Sequence, residues 1–141
     1  MVWLPSHLDF LGHVQSIVAQ IPHQYAVKIG VAHDPEERYW GVSSIFNTTR
    51  KTHYAYSTEY AKNKDKVEYE GLIVVNVNCS REVIETLEHG AIALVRQLFP
   101  RQCRNRKVDQ DSKKDRNEGS GDEAVGPHFL YIAYGLHRFS N

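Results

Sequence analysis

Leu4, Leu8, Leu11, Val14, Val18 and Ile21 recur at steps of three and four, the spacing of one face of an α-helix. A helix over residues 7–21 is predicted, capped by Ser6 and ended by Pro22. The period then changes to two. Tyr25, Val27, Ile29 and Val31 fall on one side of an extended chain, and Ala26, Lys28 and Gly30 on the other. This predicts a strand with one buried face and one small, polar face suited to lining a ligand. Asp34-Pro35-Glu36-Glu37 opens a short helix over 34–41. It has an N-cap aspartate, a proline at the first position and carboxylates in the first turn. It carries Arg38, Tyr39 and Trp40 before Gly41 breaks it.

Residues 43–68 are polar and show no clear period, which predicts a long loop with a short helix near 58–64. Residues 72–77 are apolar on both faces, the mark of a central strand. Ser80 caps a second long helix over 81–98, with a stripe of Val83, Ile84, Leu87, Ala91, Leu94, Val95 and Leu98. The segment 101–107 is basic, and 109–126 offers charge, glycine and serine with nothing apolar to bury, so a flexible loop is expected at about 106–126. Residues 129–134, Phe-Leu-Tyr-Ile-Ala-Tyr, form a strong strand signal. The expected fold is an α/β (α+β) layer arrangement in one domain. Its sheet is small, mainly antiparallel and three-stranded, flanked by helices 7–21, 34–41 and 81–98.

Composition narrows the chemistry. The chain has 141 residues, and 17 basic side chains balance 17 acidic ones. That argues against binding nucleic acid by bulk charge and leaves a local basic patch as the route. Two cysteines, Cys79 and Cys103, make a disulfide framework unexpected and a reducing, intracellular compartment the better expectation. The N-terminus lacks the charged and apolar regions of a signal peptide, and no apolar run approaches membrane length. The histidines are scattered, with neither Cys-x-x-Cys nor His-x-x-x-His spacing. There is no phosphate-binding glycine loop followed by Lys-Ser/Thr and no serine nucleophile elbow.

One constellation remains. It consists of Val27-Lys-Ile-Gly-Val-Ala-His-Asp-Pro-Glu-Glu-Arg38, then Leu87-Glu-His-Gly-Ala-Ile92, then Cys103-Arg-Asn105. This order resembles the GIY-YIG nuclease domain, in which a strand ending in Tyr-Ile-Gly leads into a helix bearing an arginine. A later helix carries a glutamate, and an asparagine follows it. Lys28 stands where the family has tyrosine. The family's first strand, with Gly-Ile-Tyr, is missing upstream of Tyr25; residues 129–134 would supply it in a circular permutation, with Tyr131 on the face of Lys28. The resemblance implies hydrolysis of nucleic-acid phosphodiesters, DNA ahead of RNA, with one Mg²⁺ on Glu88. Arg38, Lys28 and Tyr131 would join Glu88 as catalytic residues, and Asn105, Arg104 and Tyr39 would contact substrate. A further base would be Tyr39, or His53 or Tyr54 of the polar loop.

Each residue also has a plainer role. Glu88 can cover a helix edge or pair with Arg38, Arg38 can complement its own helix, and Lys28 can sit on an exposed edge. Asn105 can be a turn residue and Tyr131 a packing residue. The alternatives to a nuclease are a catalytically inactive GIY-YIG-like module that binds nucleic acid or protein, and an unrelated protein-interaction domain.

Overall fold

The computed structural model describes residues 1–41, 55–77, 79–105 and 128–138. It is an α+β arrangement with a four-stranded mixed sheet. The elements are β1 (Val2–Leu4), α1 (Phe10–Ala19), β2 (Tyr25–Ala32), α2 (Pro35–Trp40), α3 (Glu59–Asp65), β3 (Val67–Val77), α4 (Arg81–Leu98) and β4 (His128–His137). The strand order is β1-β3-β4-β2. Strand β4 is central and antiparallel to both β2 and β3, while β1 adds to β3 in parallel.

Local signals set most boundaries. The Ser80 hydroxyl accepts from Val83 N–H and starts α4 where the sequence places it. Asp34 caps α2 through Glu37 N–H, and Gly41 ends α2 in the left-handed region at φ 88°. Helix α1 is shorter than expected: Asp9, not Ser6, accepts from Gly12 N–H, and the helix stops at Ala19.

Two larger departures concern the sheet. It has four strands rather than three, because Val2–Leu4 pairs with Ile73, Val74 and Val75. Three residues are too few to show a period. Strand β3 also begins at Val67, inside the stretch expected to be loop. The register shifts between Tyr69 and Gly71, a β-bulge. Val67 and Tyr69 before it, and Leu72 and Val74 after it, share one face. The extra residue breaks the alternation, so an 11-residue strand reads as no strand at its first half. The predicted loop at 106–126 lies outside the described residues.

The sheet has two unlike faces. On one, Val27, Ile29, Val75, Leu130 and Ile132 pack with Val14, Ile17 and Val18 of α1 and Ile84, Ile92 and Val95 of α4. On the other, Ala26, Val74 and Ala133 lie with Tyr39, Tyr56, Tyr69 and Tyr131. The first is an aliphatic core; the second is a tyrosine layer, and the candidate site is built on it. Among the described residues no helix is long and apolar enough to cross a membrane.

Candidate functional site

The site begins with the pairing of β2 and β4. Gly30 stands opposite Tyr131, and Lys28 opposite Ala133, so Lys28 and Tyr131 issue from one face of adjacent strands. Gly30 is there for space: a Cβ on it would lie 2.2 Å from the Tyr131 hydroxyl oxygen and 2.3 Å from Cζ. The Tyr131 ring therefore leans across the glycine of Lys-Ile-Gly.

A hydroxyl network grows from it. The Tyr131 and Tyr56 hydroxyls are 2.7 Å apart, and the Tyr56 ring meets those of Tyr69 and Tyr131 edge-on at 4.7 and 5.6 Å. Tyr69 donates to Asp65 Oδ2 at 2.5 Å, and the Lys28 ammonium donates to the same oxygen at 3.1 Å. All three tyrosines are buried. Burial, then the neighbouring Tyr131 and Tyr69, push the Tyr56 hydroxyl well above its ordinary pKa. Burial, then the hydrogen bond and charge of Asp65, push Tyr69 up strongly as well. Both stay protonated at neutral pH. They are hydrogen-bond donors and apolar floor, not bases.

Cations surround this floor. The Arg38 carbonyl accepts from Tyr56 N–H at 3.1 Å, which ties α2 to the tyrosine layer, and the Arg38 charge opposes the rise at Tyr56. The Arg104 charge opposes the rise at Tyr69. Its guanidinium contacts His137 Nδ1 and, after burial, helps to lower the His137 pKa. Lys28 Nζ sits 5.6 Å from the centre of the Tyr56 ring. Lys28 lies on this face with Asp65, and the charges of Arg38 and Arg104 act on its Tyr56 and Tyr69.

Asn105 is engaged by the backbone of β2. Its amide oxygen accepts from Ile29 N–H at 2.8 Å, and its amide nitrogen donates to the Ile29 carbonyl at 2.7 Å. Beside it, Val27 N–H donates to the Gln102 carbonyl at 2.7 Å and Arg104 N–H to the Val27 carbonyl at 2.8 Å. Residues 102–105 therefore close the outer edge of β2. The Arg96 guanidinium holds the Asn105 carbonyl at 3.0 Å. Both polar ends of the Asn105 amide are engaged by the backbone. Asn105→Ala should lower stability by about 1–3 kcal/mol, because the two edge hydrogen bonds go with the amide. Urea unfolding together with faster exchange of the Ile29 amide would register it.

Tyr39 is buried, packed edge-on to Trp40 at 4.7 Å, and its carbonyl accepts from Ser57 N–H. It belongs to the packing of the tyrosine layer rather than to a substrate-facing surface. Trp40 beside it is 57% exposed. His53 and Tyr54 lie outside the described residues.

Glu88 does not join the patch. It is 2% exposed, in the α4 stripe with Ile84, Ile92 and Val95, and that helix covers the aliphatic face. The sheet stands between the layer carrying Glu88 and the face carrying Lys28 and Tyr131. Among the described residues no group of three or more His, Cys, Asp or Glu gathers as a metal site. The donor set present does not form a centre that touches both Glu88 and the cationic face.

Tyr56 and Asp65 carry no local signal, since they fall in the stretch without a period, and Tyr69 lies just beyond it, beside the β3 bulge that breaks the alternation. Lys28 facing an acid is a long-range fact with no local signature. No family model matches the chain, and no curated protein or solved structure matches it either.

Proposed function

We propose that this chain is a circularly permuted GIY-YIG-like domain whose tyrosine–lysine face docks on the phosphate backbone of nucleic acid. One observation carries the reading: Lys28 lies on a floor of protonated tyrosines built across β2 and β4, and the charges of Arg38 and Arg104 act on that floor. The central place of β4, antiparallel to β2 and β3, supports the permuted strand. Guanidinium and ammonium groups supply the charge-assisted bonds that phosphate oxygens accept, and a local cluster does this despite zero net charge. Fluorescence anisotropy with labelled duplex and single-stranded DNA, followed from about 20 to about 200 mM salt, tests it. Saturable binding that weakens linearly on logarithmic axes is expected. The absence of binding at the lowest salt would remove the proposal.

Hydrolysis is the second reading: it rests on the sequence resemblance alone, because Glu88 is buried on α4, across the sheet from the cationic face. Glu88→Gln keeps size and hydrogen-bonding capacity while removing the charge. If the chain is a nuclease, nicking of supercoiled plasmid in Mg²⁺ should fall by about 100-fold or more in this variant. Cleavage equal to the wild type would exclude Glu88 from any such chemistry, and no cleavage by the wild type would leave the binding module.

A further inference from the structure

The Lys28 ammonium does not meet open solvent alone. Asp65, at the last position of α3, accepts from it through Oδ2 at 3.1 Å, and the two side chains are 30% and 14% exposed. The same oxygen accepts from the buried Tyr69 hydroxyl at 2.5 Å. Tyr69 is fixed in β3 and packed edge-on to Tyr56, so the carboxylate is tethered from below. Asp65 therefore occupies one of the directions from which an anion would reach Lys28.

From this geometry we infer that Asp65 is an affinity-setting residue, an internal competitor for the anion that Lys28 would bind. The inference rests on the phosphate-backbone reading of the face. An ammonium carries three donors, so it can serve a carboxylate and a phosphate together. A phosphate on Lys28 then sits within a few ångströms of the Asp65 charge and is repelled by it. The Tyr69 hydrogen bond holds Asp65 in place during that encounter. Lys28 consequently contributes less backbone affinity than its position allows. Arg38 and Arg104 carry the larger share of the attraction.

Two measurements on the full chain test this. In the first, Lys28 is modified by reductive methylation and read by mass spectrometry, with inorganic tripolyphosphate as the protecting anion. Asp65→Asn should be protected at a concentration about threefold or more below the wild type, as expected from removing a like charge at contact range. In the second, DNA binding is followed against salt. Asp65→Asn should bind more tightly with a slope steeper by up to about 0.9, and the gain should vanish in a Lys28→Gln background. Equal protection of wild type and variant overturns the inference. So does a DNA gain that persists undiminished without Lys28, since that is a general charge effect. If neither protein binds DNA, the functional reading falls, while the tripolyphosphate arm still decides the role of Asp65. Asp65→Ser serves in both assays should the asparagine variant not fold.

Discussion

Gly135→Ala should destabilise the protein by about 3 kcal/mol or more, in the upper range of overpacking effects. Gly135 lies in the central strand opposite Tyr69, beside the β3 bulge. A Cβ there would fall 2.1 Å from the Glu68 carbonyl oxygen and 2.6 Å from both the Glu68 carbonyl carbon and Tyr69 Cα. All three are backbone atoms, so no rotamer change relieves the clash. Either the bulge or the pairing of β3 with β4 must give. The same bulge points Tyr69 into the tyrosine layer, so Asp65 and Lys28 should lose their arrangement together with the stability. Urea unfolding measures the first effect, and loss of near-ultraviolet tyrosine dichroism at native far-ultraviolet signal measures the second. A variant within about 1 kcal/mol of the wild type would show that the bulge is soft and the strand pairing less demanding than its geometry implies.

The second large effect concerns the cations. Combining Lys28→Gln, Arg38→Gln and Arg104→Gln should weaken DNA binding by about 100-fold or more near 0.1 M salt, since three charge-assisted phosphate interactions are removed together. The salt slope should fall by about 2 in the same variant, roughly 0.9 for each phosphate that Arg38 and Arg104 no longer neutralise, since Asp65 already limits the share of Lys28. The fold should survive. Lys28 is 30% exposed and its partner Asp65 keeps the Tyr69 hydrogen bond, so the pair contributes stability of the modest size usual for partly exposed ion pairs. An unchanged slope would mean that the backbone is met elsewhere. Other basic side chains among the described residues are held as Lys28 is by Asp65: Lys62 is bonded to Glu68, Arg138 to Glu68 and Glu59, and Arg81 to Glu85. Lys62 and Arg138 are engaged in holding α3 and the strand ends together, and Arg81 in bracing the first turns of α4.

The gap between Glu88 and the patch follows from the same architecture. A helix-edge place is one of the roles its position on α4 allows, and the structure buries it. Angle on a helix fixes direction relative to that helix alone. Which face of the sheet the helix covers is decided by packing, and α4 covers the aliphatic face with α1. Whether the domain cuts or only binds is therefore a question about Glu88, separable by mutation from the question about Lys28, Arg38 and Arg104.

Periodicity and capping chemistry were enough, by themselves, to locate α2, β2, α4 and the core of β4. Each is long or strongly capped, and each pattern is a property of neighbours in sequence: Asp34 with Glu37, Ser80 with Val83, Val27 with Ile29. They also put Lys28 and Gly30 on one side of their strand. Tertiary structure alone decided what faces them. The resemblance put Tyr131 on the Lys28 face, but Asp65 on Lys28, Asn105 on the Ile29 backbone and β1 on β3 are pairings between distant segments. Local alternation tells a side chain only which of two sides it takes. The partner waiting there is set by strand order, by one bulge that reverses the alternation, and by the helix that happens to cover that side.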